Sequence, residues 1–212
     1  MSRSTYHHGD LKNALIEAGT QVLAEKGVAG LSLRAVARRA GVSHAAPYAH
    51  FADKQALIAA ISTEGYRRVY EQLEAVLERY PSEPLRQLVE AGWTYVQFAT
   101  ADPARFRTTF SGAVEKQKDY PAYVEMSQKS FALVVRIVQA CQAEGILAEG
   151  ASEQMAVSVW SLVHGLVALQ VEGQLSHELA DPTRLRAQLL FALGQMARVE
   201  IDPERFRLPA LK

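Results

Sequence analysis

Three Asp-Pro pairs constrain the fold of this chain more than any other feature of its sequence. They are Asp102-Pro103, Asp181-Pro182 and Asp202-Pro203. An Asp side chain can cap a helix, and Pro suits the first helical position because its missing N–H would lack a partner there anyway. Each pair therefore predicts a helix start. Between these starts apolar residues recur every three or four positions, and no strand-like alternation of convincing length is present.

Other capping residues and stops complete a prediction of about nine helices. N-caps are predicted at Asp10, Ser32, Ser43 and Asp53. The four helices that they open are predicted to end at Gly27, Gly41, Phe51 and about Tyr80. Further helices are predicted over residues 84–101, 103–111, 121–144, 152–176 and 182–200. The predicted fold class is all-α.

Composition and charge narrow the class of protein. Of the 212 residues, 49% are apolar and 22% are charged, which is typical of a folded soluble protein. The 23 basic residues balance the 23 acidic ones, so the overall charge indicates neither a nucleic acid nor an anionic membrane as partner. Residues 1–54, however, carry a net charge of +3, and the rest of the chain carries −3. The first quarter is the basic end.

The sequence also predicts the compartment. Cys141 is the single cysteine, which excludes an intrachain disulfide. The first residues lack the apolar core of a signal peptide. The most apolar stretch, residues 155–171, is interrupted by polar residues and is shorter than the ~20 residues of a membrane span. We therefore expect a cytoplasmic protein that does not cross a membrane.

The second and third predicted helices are joined by a tight turn, residues 40–43, with the spacing of a helix-turn-helix motif. In this motif the second helix enters the DNA major groove. On an α-helix, His44 and Tyr48 would share one face and project into the groove, while Phe51 would point inward. Pro47 removes the first internal hydrogen bond, which predicts a short segment distorted at its start.

Lys54 lies in the first turn of the predicted fourth helix, where a cation opposes the helix dipole. A bound anion would remove this conflict. A DNA phosphate, held by the backbone N–H groups of the helix and by the lysine, is the natural candidate. The alternative, which the sequence alone leaves equally open, is an ordinary solvated lysine.

Three segments of the first quarter resemble the N-terminal domain of TetR-family transcriptional regulators in order and spacing: Tyr6–Leu11, Leu31–Ala37 and Gly41–Leu57. Further along, Trp160–Gly165 resembles the W-x-x-x-H-G signature of one subgroup. The resemblance implies an all-α homodimer with a helix-turn-helix DNA-binding domain of three helices over residues 1–54. A fourth helix from residue 53 would link it to a ligand-binding and dimerisation domain over residues 55–212.

By position, the resemblance also implies a set of DNA contacts: Arg34, Ser43, His44, Ala45, Tyr48 and Lys54. The third helix contains no Arg or Lys, so a bidentate guanine contact cannot come from it, and Arg34 is the leading candidate for reading a base. His44 could donate to a guanine, and Ala45 could contact a thymine methyl group.

Some nearby basic residues have two interpretations. Arg3 could reach a phosphate or the minor groove from the N-terminal arm. His50 could contact DNA or serve as a structural histidine. Arg38 and Arg39 fit a solvated helix face at least as well as they fit phosphate contacts.

The two most apolar helices predict an oligomer. Helix 152–176 is apolar nearly all round and must be buried on all sides, and helix 182–200 has a similarly broad apolar face. A hairpin of these two helices, doubled by two-fold symmetry, would form a four-helix bundle that buries both. A two-fold dimer also suits DNA with two half-sites. We therefore predict a homodimer through these two helices.

The middle helices are rich in aromatic residues, which at helical spacing most often form a core. Together they could line an apolar pocket for a small-molecule effector. The candidate lining residues are Trp93, Phe98, Phe106, Phe110, Phe131, Trp160 and His164. Trp160 and His164 lie four apart and could address one cavity. The favoured alternative is that His164 makes one buried hydrogen bond while Gly165 permits close helix packing.

With these features, the resemblance to TetR-family regulators implies a dimeric DNA-binding regulator, a repressor as is most frequent in that family, which a small apolar or aromatic effector releases from a palindromic operator in double-stranded DNA. The alternative is an all-α dimeric protein that does not bind DNA. It would bind another protein, a small molecule or a cofactor instead. No P-loop, dinucleotide-binding glycine motif, zinc-protease motif or nucleophile elbow is present, so we predict no enzyme and no cofactor. His7 and His8 lack further ligands, so we predict no metal site.

Overall fold

The computed structural model describes residues 8–206, and within this range the chain is all-helical, as predicted. Eight α-helices are present: α1 His8–Gly30, α2 Leu33–Ala40, α3 Lys54–Arg79, α4 Pro84–Ala101, α5 Pro103–Phe110, α6 Pro121–Ala143, α7 Ser152–Val171 and α8 Pro182–Gly194. Three short 3-10 helices lie at Ala46–Ala49, Gln117–Asp119 and Pro203–Phe206. The helix predicted as the fourth is therefore α3, because the predicted third helix is a 3-10 turn.

The Asp-Pro pairs open helices as the sequence predicts. The Asp102 carboxylate accepts a hydrogen bond from Arg105 N at 3.0 Å at the start of α5. The Asp181 carboxylate accepts from two backbone N–H groups, at 3.0 and 3.2 Å, at the start of α8. Asp202 accepts from Glu204 N at 2.9 Å and opens the last 3-10 helix. Local capping chemistry thus sets these three boundaries.

Two details of the N-terminal helices differ from the prediction or refine it. The first helix starts at His8, so Asp10 lies inside it and is not its N-cap. Gly27, with φ of 63°, interrupts the helical geometry where the stop was predicted, and helical hydrogen bonding resumes up to Gly30. At α2, Ser32 caps the helix by accepting from Ala35 N at 3.1 Å.

The two apolar C-terminal helices are shorter than predicted. The helix predicted over 152–176 ends at Val171, and Gly173 follows in a left-handed turn with φ of 65°. The helix predicted over 182–200 ends at Gly194. There the chain turns to pair with a distant segment, because Arg198 N donates to Ile146 O at 2.8 Å. The prediction of helix up to residues 176 and 200 was therefore wrong.

The described part of the chain divides into two compact units. Unit 1 extends to Arg68 and includes the later segment Asp102–Ser127; unit 2 consists of Val69–Ala101 and the chain from Gln128 onward. Unit 1 therefore contains α1, α2 and α5 together with the first part of α3 and the start of α6. The functional division predicted between residues 54 and 55 stays a prediction.

Unit 1 is built around one apolar cluster, whose fully buried members include Leu15, Val36, Leu57, Ile58 and Ile61. Side chains from α1, α2 and α3 therefore share one core. Burial of this apolar surface is the main force that holds the three helices together.

Helix α5 is fixed to unit 1 at a close helix crossing. A Cβ added at Gly65 on α3 would lie only 1.8 Å from Thr109 Oγ1, so only glycine allows the two helices to approach this closely. Ser62 Oγ adds a hydrogen bond of 3.2 Å to Thr108 O.

An ion-pair network also holds α5 on α1. The Arg105 side chain is only 3% exposed, and its Nη2 donates to both Glu17 carboxylate oxygens at 2.8 and 2.9 Å. Arg105 Nε donates to Asp102 at 2.9 Å. Glu17 also accepts from Arg68 Nη2 at 2.7 Å, so one carboxylate on α1 binds cations from α3 and α5.

In unit 2, α4 packs against α7 and α8. The C-terminal segment is held there by the buried Arg186, whose Nε donates to Phe206 O at 2.5 Å and whose Nη2 donates to Glu90 at 2.7 Å. The same guanidinium stacks over the Trp93 ring at 5.2 Å.

The α7 helix is longer than the apolar stretch recognised in the sequence. With 20 residues it is long and apolar enough to cross a membrane by those two criteria alone, so length and polarity do not exclude a span, but one such helix does not indicate a span either. The core helix of a soluble protein meets the same criteria, and α7 packs within a helical unit against α4 and α8.

Candidate nucleic-acid interface and effector region

The turn after α2 has the geometry that the sequence predicts. Gly41 adopts the left-handed conformation, with φ of 69° and ψ of 29°, and its N–H donates to the last turn of α2. The chain then reverses, and Val42, which is half-buried, packs against the core of unit 1. This turn fixes the position of the following segment relative to α2.

The segment after the turn is a 3-10 helix, so the predicted α-helix from Ser43 to Phe51 is wrong in type. An α-helix would pair the Ser43 carbonyl with the N–H that Pro47 lacks; this carbonyl instead accepts from Ala46 N at 3.0 Å. The next bonds also span three residues: Tyr48 N to Ala45 O at 3.2 Å and His50 N to Pro47 O at 3.0 Å. The prediction of a short, distorted segment is confirmed.

The predicted groove residues of this segment are exposed: Ser43, His44, Ala45 and Tyr48. The Tyr48 side chain is 54% exposed, whereas Phe51 is 2% exposed and faces the core, as predicted. In a 3-10 helix residues three apart are aligned, so the α-helical argument that His44 and Tyr48 share a face no longer applies. Both side chains are nevertheless available to a partner.

The arginines of α2 differ in their surroundings. Arg39 forms a two-bond ion pair with Glu25, which ties α2 to α1 and keeps the Glu25 pKa below its usual value through the hydrogen bond from Arg39. Arg34 and Arg38 are exposed, and within residues 8–206 neither guanidinium is paired with another side chain. Arg34, at the second position of α2, therefore presents a free guanidinium at the start of the helix.

Lys54 is held by a hydrogen bond that the sequence did not reveal. Its Nζ donates to Val28 O at 2.5 Å, at the end of α1. An ammonium has three donors, so further acceptors can bind, but the side chain is not freely solvated. Beside it, Asp53 caps α3 by accepting from Ala56 N at 2.8 Å. The phosphate contact of Lys54 stays a prediction.

Two other predicted DNA contacts have less support from geometry. His50 is half-buried, and its ring centroid lies 6.3 Å from that of Phe51, so it partly serves as a packing residue. Arg3 lies outside the described residues.

The loop after α5, residues 111–120, lies beside the first turn of α3, a contact that was not predicted from the sequence. Glu115 N donates to Gln55 Oε1 at 3.1 Å, across 60 residues of sequence. The loop carries Lys116 and Lys118, both exposed. No local pattern signals such a long-range contact, so these lysines were not among the predicted site residues.

The predicted pocket residues fall into sets within separate units. In unit 1, Phe106 and Phe110 lie with ring centroids 5.3 Å apart, and Phe110 makes an edge contact of 5.1 Å with Tyr66. Tyr66 also contacts Tyr123 at 5.7 Å, and burial raises its pKa well above the usual value.

In unit 2, Phe131, Trp160 and His164 form a chain of ring contacts, with centroids 6.2 and 5.8 Å apart. Trp93 and Phe98, also in unit 2, are buried, and Trp93 stacks on Arg186 instead. Whether any of these residues contacts an effector stays a prediction.

The hydrogen bond predicted for His164 is present. Tyr95 Oη lies 2.8 Å from His164 Nδ1, and desolvation lowers the pKa of the half-buried imidazole, which favours its neutral form. The role predicted for Gly165 is not observed: within the described chain, an added Cβ would meet nothing within 4 Å. Gly165 therefore does not serve close helix packing inside one chain.

A wide apolar surface remains uncovered on α7 and α8. The residues of α7 that are buried are Ala156, Val159, Val163 and Val167. Large apolar side chains outside this set are exposed by 47% at Val157, 38% at Trp160 and 41% at Leu169, and Phe191 on α8 is exposed by 62%. One face of α7 therefore covers the core of its unit, and the described part of the chain leaves the other face open, which is the arrangement that the need for a partner predicts.

Among residues 8–206, no three His, Cys, Asp or Glu side chains come together as a metal site.

Comparison with protein families gives two matches. Residues 15–61 match the model described as bacterial regulatory proteins, tetR family, and residues 88–193 match the model described as tetracyclin repressor-like, C-terminal domain.

Similar proteins are known from several bacteria. An uncharacterized HTH-type transcriptional regulator of Bacillus subtilis, YobS, is 23% identical over 162 residues, 76% of this chain and 79% of the relative. A solved protein of unknown function from Rhodococcus sp. RHA1 is 31% identical with a TM-score of 0.76, over 92% of this chain and 100% of the other. A solved tetR-family regulatory protein from Rhodococcus RHA1 shares the fold, at 21% identity and a TM-score of 0.73, over 90% and 98% of the two chains.

Proposed function

The chain belongs to the TetR family of bacterial transcriptional regulators, and from this premise we propose that it acts as a homodimeric repressor of an inverted-repeat operator. The observation that carries the proposal is the helix-turn-helix of α2 and the 3-10 segment, whose outer side chains are exposed. We assign DNA binding to residues 1–54 and ligand binding and dimerisation to residues 55–212. A protein of this function works in the bacterial cytoplasm, where the chromosome lies.

Arg34 is the base-reading residue in this proposal. Its guanidinium, which has no side-chain partner in the part of the chain that the structure describes, can make the bidentate contact to guanine that the following segment, which lacks Arg and Lys, cannot make. Tyr48 supplies a hydroxyl and an apolar ring to the groove wall, and Lys54 supplies a phosphate contact at the start of α3. Phosphate contacts position the protein, whereas Arg34 provides specificity.

The uncovered surface of α7 and α8 supports dimerisation. Val157, Ser161, Gly165 and Leu169 recur every four residues, so they lie along one face of α7. The two small residues in the middle would let the corresponding helix of a second protomer approach closely. Phe191 on α8 adds an exposed ring. A four-helix bundle of two such hairpins removes this apolar area from water.

The effector in this proposal is a small apolar or aromatic molecule bound in unit 2. Phe131 and Trp160 offer apolar ring faces, and the His164–Tyr95 pair offers a neutral polar anchor. The effector would act by shifting the population between two positions of the DNA-binding domain, of which only one matches the half-site spacing.

Selection from random duplex DNA at moderate salt, followed by titration of the selected sequences, tests the proposal. We expect an inverted repeat whose affinity falls steeply with salt, because phosphate contacts release counterions. Failure of a folded, dimeric preparation to enrich any sequence would refute the proposal in favour of an interaction or small-molecule-binding protein without DNA binding.

A further inference from the structure

Two lysines in the loop between α5 and α6 are not used by any contact described above. Lys116 and Lys118 are exposed, and within residues 8–206 neither ammonium forms an ion pair or a hydrogen bond with another residue. They lie outside residues 1–54 in sequence, yet the loop belongs to unit 1, the unit that contains the helix-turn-helix.

The loop is anchored to the start of α3 by one buried side chain and one backbone hydrogen bond. Val114 is only 5% exposed and joins the apolar cluster that contains Leu57 and Ile58. Glu115 N donates to Gln55 Oε1 at 3.1 Å, and Gln55 is the neighbour of Lys54. Lys116 therefore directly follows Glu115, which is hydrogen-bonded to the neighbour of Lys54, the proposed phosphate contact.

The backbone at Lys116 turns sharply. Lys116 has φ of 45° and ψ of 54°, and among the described residues it is the one non-glycine residue with positive φ. Its carbonyl accepts from Asp119 N at 2.8 Å, which closes the 3-10 turn Gln117–Asp119. Both lysines therefore project from one tight turn.

The acidic residues of the same region interact with the side chain of Tyr120. Tyr120 has a raised pKa, caused first by desolvation and then by the negative charges of Asp53, Asp119 and Glu115. Asp53 also caps α3. The loop as a whole is therefore charge-balanced, and its lysines can attract DNA only at short range, through direct contacts.

We propose that Lys116 and Lys118 bind phosphates of the operator backbone next to the phosphate bound at Lys54, so that the DNA interface includes the α5–α6 loop. This inference rests on the proposed DNA-binding function. Phosphates on one strand follow each other about every 3.4 Å along the duplex axis, so one tight turn can reach neighbouring phosphates. These contacts add affinity without adding sequence preference.

The salt dependence of operator binding tests the proposal. Replacing both residues, Lys116→Gln with Lys118→Gln, removes two positive charges. In the homodimer this change removes four charges, and if all four lysines bind phosphates, the slope of log K against log salt becomes less steep by about 3.6, while affinity falls by a similar factor for operator and random duplexes. The double variant Lys116→Arg with Lys118→Arg keeps both charges and should keep the wild-type slope.

A matched control removes the same charge from unit 2. Arg198→Gln with Arg205→Gln changes two exposed arginines and should leave the slope unchanged. A wild-type slope in the Lys116/Lys118 double glutamine variant overturns the inference, as does a change equal to that of the control. Should this variant fold poorly, Lys116→Gly with Lys118→Gln serves the same purpose, because glycine suits the left-handed backbone at residue 116.

The outcomes for Arg34 separate this inference from the proposed function. If Arg34→Ala weakens operator binding while the loop variant does not, the loop inference fails and the proposed function stands. If the wild-type protein binds no duplex in a salt-dependent manner, the proposed function fails, and the loop inference fails with it.

Discussion

Two surfaces that the described part of a single chain leaves uncovered differ in chemistry. On unit 1 the outer side of the helix-turn-helix presents a free guanidinium at Arg34, a hydroxyl at Tyr48 and small polar side chains. On unit 2, α7 and α8 present Trp160, Phe191 and aliphatic side chains. The first surface suits a hydrated, charged partner, and the second requires an apolar one. The exposed apolar side chains of α7 and α8 therefore indicate a missing partner, whereas the exposed polar side chains of the helix-turn-helix are compatible with water as well as with a charged partner.

The largest effect is expected at Phe191. Phe191→Glu places a charge in the proposed apolar interface of both protomers, so we expect the dimer dissociation constant to rise by about 100-fold or more. Analytical ultracentrifugation measures it, and circular dichroism checks that the helices remain. Gln139→Glu, at an exposed position on α6, is the matched control and should leave the dimer unchanged. An unchanged dissociation constant in Phe191→Glu would place the interface elsewhere.

The next effect is expected at Arg34. Arg34→Ala removes the proposed guanine contact in both half-sites, and each contact is worth about 1–3 kcal/mol of discrimination, or roughly 5- to 150-fold in affinity per half-site. Binding to random duplex should change much less, and the dimer should persist. Arg184→Ala, which removes an exposed arginine of unit 2, is the control. Equal losses of affinity for operator and random DNA would show that Arg34 contacts a phosphate and not a base.

Two glycines give a smaller, opposed pair of effects. Gly65→Ala forces Thr109 to move, so we expect a loss of about 1–3 kcal/mol in the free energy of unfolding. Gly165→Ala meets nothing within 4 Å in residues 8–206 of its own chain, and alanine favours the helix by about 1 kcal/mol. If α7 packs closely on a second protomer at this residue, the same change weakens the dimer by about tenfold.

Urea unfolding at low protein concentration reports the stability of the chain in both glycine variants, and ultracentrifugation reports dimerisation. A Gly165→Ala protein with an unaltered dimer would show that the two protomers do not approach closely at Gly165. A Gly65→Ala protein as stable as the wild type would show that the α3–α5 crossing can relax without cost.

The smallest effect concerns pH. The pKa of His164 is lowered in the folded protein, so below its unfolded pKa of about 6.5 the unfolded state binds more protons and gains stability. Stability from this group is therefore lost as pH falls below about 6.5 and is fully present above it. His164→Gln should flatten the dependence of urea midpoint on pH between about 5 and 7, while His177→Gln, an exposed control, should not. Identical curves for the wild type and His164→Gln would argue against this account.

The features that the sequence predicted well depend on local chemistry. The boundaries of α4 agree with the predicted span of about 84–101 because Pro84 opens the helix and the next Asp-Pro pair ends it. Gly41 marked the turn of the helix-turn-helix because the left-handed backbone there suits glycine. Capping and turn residues act within four positions, so a sequence displays them directly.

The features that the sequence missed depend on distant contacts. The end of α8 is set by a hydrogen bond between Arg198 N and Ile146 O, 52 residues apart. Helix α5 was predicted as an element, but its ion pair with Glu17 joins residues 88 apart. The loop lysines are placed beside α3 by the Gln55–Glu115 hydrogen bond. Periodicity identifies helices and their apolar faces, but it does not identify which faces meet.

Unit 1 is built from two separate stretches of chain. This has a consequence for the evolution and the engineering of such a protein. A single genetic crossover after residue 68 would transfer α1 and α2 but leave behind Arg105, which binds Glu17, together with Val114 and Tyr123, which complete the core. A working exchange of DNA specificity between such regulators therefore needs both stretches of the gene, including residues 102–127. Chimaeras that carry both stretches together should fold. Chimaeras that carry only the first should be less stable, and adding the second should restore their stability.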